Sequence, residues 1–168
     1  MGFCNYGEYQ NRIIIPSFDS SGHLNFFTAR SYTEAWLKYK NPRISKDIIF
    51  NDLNIDWSSS VTLVEGPFDA IKCANSIPLL GSSLRENSKL FQKICKYKPD
   101  IFLAMDQDAK SKQFTMAKKL KQYGIRVRII DTYPHSDIGE MSKKEITRRK
   151  QNASIVSEVD YLRYRLNF

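Results

Sequence analysis

Two stretches decide how this chain folds: Val61-Thr62-Leu63-Val64-Glu65-Gly66-Pro67-Phe68-Asp69-Ala70 and Ile101-Phe102-Leu103-Ala104-Met105-Asp106-Gln107-Asp108. Each is a short apolar run that ends on acidic residues, the pattern of a strand buried on both faces. Helix-period text fills the spaces between such runs. Phe68 to Ser76 spaces Phe68, Ile71 and Ala74 on one helical face, and Ile77 to Leu80 reads as the next strand. Asn87 or Ser88 is placed to cap a helix lined by Leu90, Phe91, Ile94 and Cys95. Lys112 to Tyr123 carries Met116, Leu120 and Tyr123 at i, i+4 and i+7 and is stopped by Gly124. Ile125 to Ile130 is a fourth strand. Short connections and βαβ alternation predict an α/β fold with a parallel four-strand sheet flanked by helices.

Outward from this block the text changes. Toward the N-terminus, Arg12-Ile13-Ile14-Ile15 is a β-branched run ending at Pro16, followed by the turn Asp19-Ser20-Ser21-Gly22 and the alternating Leu24-Asn25-Phe26. That is a hairpin pattern. Toward the C-terminus, Ser142 to Phe168 reads as helix broken near Asn152. The expected partition is a small β-rich piece over 1–56, the α/β piece over 57–135 and a helical tail over 136–168.

The 168 residues are 42% hydrophobic, enough for a packed core. No run approaches the roughly 18 apolar residues needed to cross a bilayer, so no membrane role is expected. Cys4, Cys73 and Cys95 are far apart and only two histidines are present, which argues against a zinc site and a disulfide framework. The net charge is +8, and seven cations (Lys110, Lys112, Lys118, Lys119, Lys121, Arg126, Arg128) stand between 110 and 128 with no acid among them. A second cluster runs through Lys143, Lys144, Arg148, Arg149 and Lys150. Such a surface suits a polyanion, and nucleic acid is the commonest one.

The acids point to chemistry. Sites in parallel α/β sheets form at the carboxyl ends of strands. Glu65-Gly66 ends one strand and Asp106-Gln107-Asp108 another. An extended backbone would set Asp106 and Asp108 on one side, roughly 7 Å apart at Cα. Converging carboxylates repel by about 4 kcal/mol per pair at 4 Å and an effective dielectric of about 20, which a divalent cation relieves. An all-oxygen set favours Mg²⁺ or Mn²⁺. Asp69 also suits a first helical turn, where an acid complements the helix dipole.

Together these residues resemble the topoisomerase–primase (TOPRIM) domain, a Rossmann-like fold that pairs Glu-Gly-x-x-Asp with a later Asp-x-Asp. Asn11-Arg12-Ile13-Ile14-Ile15-Pro16, Gly22, Phe27-Thr28-Ala29-Arg30 and Lys38-Tyr39-Lys40-Asn41-Pro42 resemble the upstream strand pair and Lys-Tyr-x-Asn element of bacterial-type and phage DNA primases. Leu80-Gly81-Ser82-Ser83 and Asp137-Ile138-Gly139-Glu140-Met141 resemble further loops of that family, the latter in a phage-like form. The family's zinc ribbon and the first half of its polymerase core have no counterpart here, and Ala109 stands where a Gly is usual after the second acid pair.

The resemblance implies synthesis of short RNA primers on single-stranded DNA from ribonucleoside triphosphates, in the cytoplasm of a cell or of a phage's host. It implies Glu65, Asp106 and Asp108 as catalytic ligands of two Mg²⁺ or Mn²⁺ ions and no zinc, with Asp69 and Asp137 as further metal candidates. Arg12, Arg30, Lys38 and Asn41 would bind the nucleotide, and the 110–128 cations the nucleic acid. A replicative helicase and a separate zinc-ribbon domain or chain are the implied protein partners. The rival readings are a metal-dependent TOPRIM nuclease and a non-catalytic nucleic-acid-binding replication subunit.

Overall fold

The computed structural model describes residues 1–81 and 83–166. The chain divides into two compact units, Met1–Asn54 and Ile55–Phe168.

The first unit is a three-strand antiparallel sheet in the order β1 (Gly2–Cys4), β2 (Arg12–Phe18), β3 (Leu24–Ser31). The expected hairpin is present, with Gly22 at φ +84 in its turn. Strand β2 does not stop at Pro16. It runs on to Phe18, with Pro16 opposite Phe27 of β3. Pairing with β1 ends at Ile14, so beyond it β2 has one open edge, where a residue without an N–H is tolerated. Phe26 and Ile15 are buried, and Phe50 packs edge-on against Phe26, with ring centroids 6.5 Å apart.

The second unit holds the parallel sheet in the order β5-β4-β6-β7: β4 (Val61–Val64), β5 (Ser76–Pro78), β6 (Ile101–Ala104) and β7 (Val127–Ile129). All four residues of β4 and all four of β6 are buried, as their uninterrupted apolar text requires. The crossovers are α1 (Pro67–Lys72), α2 (Lys89–Tyr97) and α3 (Lys110–Gln122). Ser88 caps α2, its hydroxyl accepting from the Phe91 N–H at 3.3 Å. Gly124, at φ +74, follows α3 in the left-handed conformation that glycine tolerates best.

Two local expectations fail. Helix α1 ends at Lys72, and Ile71 and Ala74 are exposed, so the buried side is carried by Pro67 and Cys73 instead. Helix α3 starts at Lys110, not Lys112.

The tail belongs to the same unit as the sheet. Helix α4 (Lys143–Asn152) precedes α5 (Glu158–Leu166). Ile138, Met141, Ile146 and Ala153 share a core with Val64, Phe102, Ala104 and Ile130. The segment after α4 also covers the β7 edge, with Ile155 bridged to Arg128 and the Val156 N–H donating to the Val127 carbonyl at 2.9 Å.

Candidate active site

The carboxyl ends of β4 and β6 are adjacent, because the two strands pair in register from Val61–Ile101 to Val64–Ala104. Glu65 and Asp106 therefore leave the sheet at neighbouring points of one edge. Gly66 opens α1, and its N–H donates to Asp69 Oδ2 at 2.9 Å, so Asp69 caps the helix it belongs to. Asp137 opens the 3-10 turn Ile138–Glu140, accepting from the Glu140 N–H at 3.0 Å through Oδ1.

Asp69 and Asp137 meet at Gly139. A Cβ on Gly139 would stand 2.9 Å from Asp69 Oδ1 and 3.0 Å from Asp137 Oδ1. Only a residue without a side chain leaves both carboxylates where they are.

Asp106 feels the whole group. Its carboxyl is pushed up to about 6, first by burial and then by the charges of Glu65, Asp69, Asp137 and Asp108. Four like charges within electrostatic reach of one half-buried carboxyl form an anionic centre. Lys112 stands against it, its Nζ 3.6 Å from Glu65 Oε1.

The pairing of Asp106 with Asp108 differs from expectation. The chain leaves extended geometry at Asp106 and enters the 3-10 turn Gln107–Ala109, closed by the Ala109 N–H on the Asp106 carbonyl at 2.9 Å. Asp108 is exposed on that turn, while Asp106 stays half-buried at the strand end. The early start of α3 is the cause: the strand must hand over to helix within a few residues.

Five carboxylates, with no nitrogen or sulfur donor among them, form a hard-oxygen set that suits Mg²⁺ or Mn²⁺ in chemistry and in charge. Among the described residues no group of three or more Asp, Glu, His or Cys side chains lies close enough to hold an ion as it stands. The raised carboxyl of Asp106 and the small space around Gly139 are the observations that favour a cation here.

A cleft of about 360 Å³ adjoins Asp106, lined among others by Lys110, Gln113, Phe114 and Thr132. Sequence reading did not disclose this cleft, and it placed Gly139 only within the Asp137–Met141 loop. A signal existed for the first: Gln113 is a polar residue in the apolar register of α3, three before Met116 and seven before Leu120, and it is buried.

The expected nucleic-acid face is largely self-engaged. Arg126 is bound to Asp100 at 2.6 Å, Lys121 to Glu158 at 3.1 Å, and Lys112 to Glu65. Arg128 donates to the Ala153 carbonyl at 2.9 Å and lies over the Phe102 ring, while Lys119 reaches the Leu84 carbonyl at 3.4 Å. Lys110 and Lys118 are exposed. The tail cluster divides in the same way. Arg149 is tied to Glu145 and to the Asp131 and Tyr133 carbonyls, and Lys150 reaches Thr62 Oγ1 at 3.1 Å across the Phe102 ring. Lys143, Lys144 and Arg148 are exposed.

In the first unit, Arg12 is buried and braces backbone. Its guanidinium donates to the carbonyls of Leu37 at 2.9 Å, Lys38 at 3.3 Å and Ala29 at 3.4 Å. Asn41 is likewise engaged, its Oδ1 accepting from Thr28 Oγ1 at 2.8 Å and from the Ala29 N–H at 3.3 Å. Both hold in place the segment that carries Lys38, which is exposed, whereas Arg30 is half-buried with its guanidinium over the Tyr39 ring. Of the Leu80–Ser83 loop, Ser82 lies outside the described residues.

No family model matches the chain. A DNA primase of Mycoplasma genitalium is 29% identical over 148 residues, an alignment that takes in 77% of this chain and 24% of the relative. Among solved structures, the Aquifex aeolicus primase, comprising zinc-binding and RNA polymerase domains, superposes at a TM-score of 0.75 with 20% identity, over 92% of this chain and 43% of that one. A DnaG primase catalytic domain bound to single-stranded DNA gives 0.70 with 15% identity, over 89% of this chain and 55% of that one. The chain thus spans about a quarter of the curated relative and about half of these structures. The four-strand parallel sheet flanked by helices, together with the three-strand antiparallel sheet, is the fold of primase catalytic cores.

Proposed function

We propose that this chain is catalytic-core sequence of a phage-type DNA primase, which joins ribonucleotides into short primers on a single-stranded DNA template. The observation that carries this reading is the anionic centre around Asp106, at the carboxyl edge of a sheet whose fold is that of primase cores. Glu65, Asp106 and Asp108 would hold the cations, with Asp69 and Asp137 shaping the site beside them. Bound there, Mg²⁺ or Mn²⁺ would activate the primer 3′-hydroxyl and neutralise the leaving pyrophosphate.

The residues supply the rest. Above pH 6 the Asp106 carboxylate is mostly ionised and accepts rather than donates. Lys112 shields Glu65 and must release it when a stronger cation arrives. Arg30 and Lys38 bind triphosphate oxygens, Arg30 through its planar fork. Arg12 and Asn41, proposed from sequence as direct nucleotide ligands, act instead by fixing the backbone around Lys38. The proposed surroundings are the cytoplasm of the host cell, a replicative helicase and a zinc-ribbon domain or chain that selects the start site.

A primer-synthesis assay tests the reading: labelled ribonucleotides, single-stranded DNA and Mg²⁺ or Mn²⁺, with and without a supplied zinc-ribbon partner. Short RNA products that vanish in Asp106→Asn support it. Strand scission without synthesis would make the chain a nuclease built on the same carboxylates, and DNA binding with neither reaction would make it a non-catalytic subunit.

A further inference from the structure

Helix α3 buries a polar side chain that the rest of the fold does not use. Gln113 stands in the apolar register of α3 and is only 5% exposed. Its amide makes no hydrogen bond among the described residues. No side-chain oxygen or nitrogen wholly shut off from solvent lacks a partner there, so the little surface that Gln113 keeps includes its amide oxygen and nitrogen. That surface belongs to the cleft of about 360 Å³ beside Asp106, which Gln113 lines. Burying an amide without a partner costs stability, and a leucine at the same place would avoid the cost.

The cleft opens at the carboxyl ends of β6 and β7, the edge at which α/β sheets take ligands. Its apolar side is Met105, Ile130 and the half-buried Phe114. Thr132, 2% exposed, also lines it. The Thr132 hydroxyl accepts from Gln107 Nε2 at 2.7 Å and so keeps its own proton to donate. Among the described lining residues, the carboxylates of Asp106, Asp131 and Asp160 stand against the cations of Lys110 and Arg163.

These features select the ligand. A carboxamide presents a donor beside an acceptor and is matched by an edge that carries the same pair reversed. The apolar side accepts a flat, uncharged body, and the volume is that of a small-molecule site. The carboxylates disfavour a bare phosphate and accept hydroxyl donors. A nucleoside meets all three conditions, with its base against Gln113 and its sugar hydroxyls toward the acids. Adenine is the usual bidentate partner of glutamine, through N6 and N7.

We propose that the cleft at the ends of β6 and β7 binds a nucleobase, adenine best of all, and that Gln113 reads its donor–acceptor edge. The inference rests on the reading above that the chain works on nucleotides. It adds a site for the uncharged half of a nucleotide, separate from the groups that handle phosphate and metal.

The test is calorimetric titration of the full chain with nucleosides in the presence of a chelator, so that neither metal nor phosphate contributes. Adenosine should saturate one site. Purine riboside, which keeps both rings and lacks the N6 amino group, should bind about 10-fold more weakly. Gln113→Leu should bind the two nucleosides alike and unfold at a higher urea concentration than the parent. Absence of adenosine binding overturns the proposal. So does equal affinity of the unaltered chain for the two nucleosides, a result that needs no variant to be folded. A preference that survives Gln113→Leu, or a variant that unfolds at lower urea, overturns it as well, the latter because the amide would then brace the fold. Competition identifies the source of the base. Displacement of adenosine by oligo(dA) but not by an abasic strand makes it a base of the strand, and displacement by adenosine triphosphate but not by oligo(dA) makes it a free nucleotide; both keep the site, and displacement by neither overturns it. The primer assay fails or succeeds separately: a chain that makes no primers but prefers adenosine keeps the cleft, and one that makes primers without the preference loses only the cleft.

Discussion

Asp106 is the residue on which the proposed chemistry turns, and its environment gives a prediction independent of activity. With the carboxyl pushed up to about 6 from an ordinary 3.8, the folded state prefers the protonated form. The associated stability is fully present below about pH 4 and is lost as pH rises through 6. Asp106→Asn removes that loss. In chelator-treated protein the variant should match the parent at pH 4 and exceed it at pH 8 by about 1 kcal/mol, a figure already reduced for solvent screening of a partly exposed group. Urea unfolding at the two pH values measures this. A variant less stable than the parent at pH 8 would show that Asp106 is a structural hydrogen-bond acceptor and not a strained member of an anionic centre. Gly139 gives the second prediction at this scale. In Gly139→Ala the new Cβ crowds Asp69 and Asp137 at 2.9 and 3.0 Å, so both carboxylates must shift. Activity should fall about 10-fold for a stability loss of about 1 kcal/mol, with a higher Mg²⁺ requirement, because overpacking strain is met by moving the ends of flexible side chains. Unchanged Mg²⁺ dependence would remove Asp69 and Asp137 from the site.

At the scale of elements, the segment after β3 is held by one short antiparallel bridge, the Ser31 N–H on the Lys38 carbonyl and the Lys40 N–H on the Ala29 carbonyl, both at 2.9 Å, and by side chains. Arg12 spends its guanidinium on the Leu37 and Lys38 carbonyls there and on the Ala29 carbonyl of β3, and Asn41 closes the other side against β3. Arg12→Ala should destabilise the protein by about 2–3 kcal/mol, the range for hydrogen bonds to a charged group lost from a buried site. Arg12→Lys should recover only part of this, since one ammonium cannot span the same fork of acceptors. Thermal or urea unfolding checks the loss. A raised KM for nucleotide at unchanged stability would return Arg12 to a direct nucleotide contact. Helix α1 buries Pro67, the extended Cys73 that follows it is buried too, and the apolar spacing of Phe68, Ile71 and Ala74 does not mark the buried side, since Ile71 and Ala74 are exposed.

For the whole molecule, a net charge of +8 predicts binding to single-stranded DNA that weakens steeply with salt, by about 0.7 in log–log slope for each phosphate neutralised. Not every cation should count. Lys110→Ala should reduce the slope by about 0.7, and Arg126→Ala by much less, because Asp100 already holds that guanidinium at 2.6 Å. Anisotropy titrations across a salt series decide it; equal effects would mean that the ion pair opens on binding.

The order of strands and helices in the second unit was legible because two fully buried strands need uninterrupted apolar text, and Val61–Val64 and Ile101–Ala104 supply it. The acids at their ends were legible for the same reason, since parallel strands in register carry their carboxyl ends to one edge. What those acids meet was decided by tertiary structure alone. Lys112 against Glu65, Gly139 against Asp69, and Arg126 taken up by Asp100 join residues 26 to 70 positions apart, and no local pattern encodes such pairings. Sequence periodicity reports which side of an element is apolar. Which charges are spent on partners and which remain for a ligand depends on what the folded chain brings within a few ångströms, and that is fixed only when the core has packed.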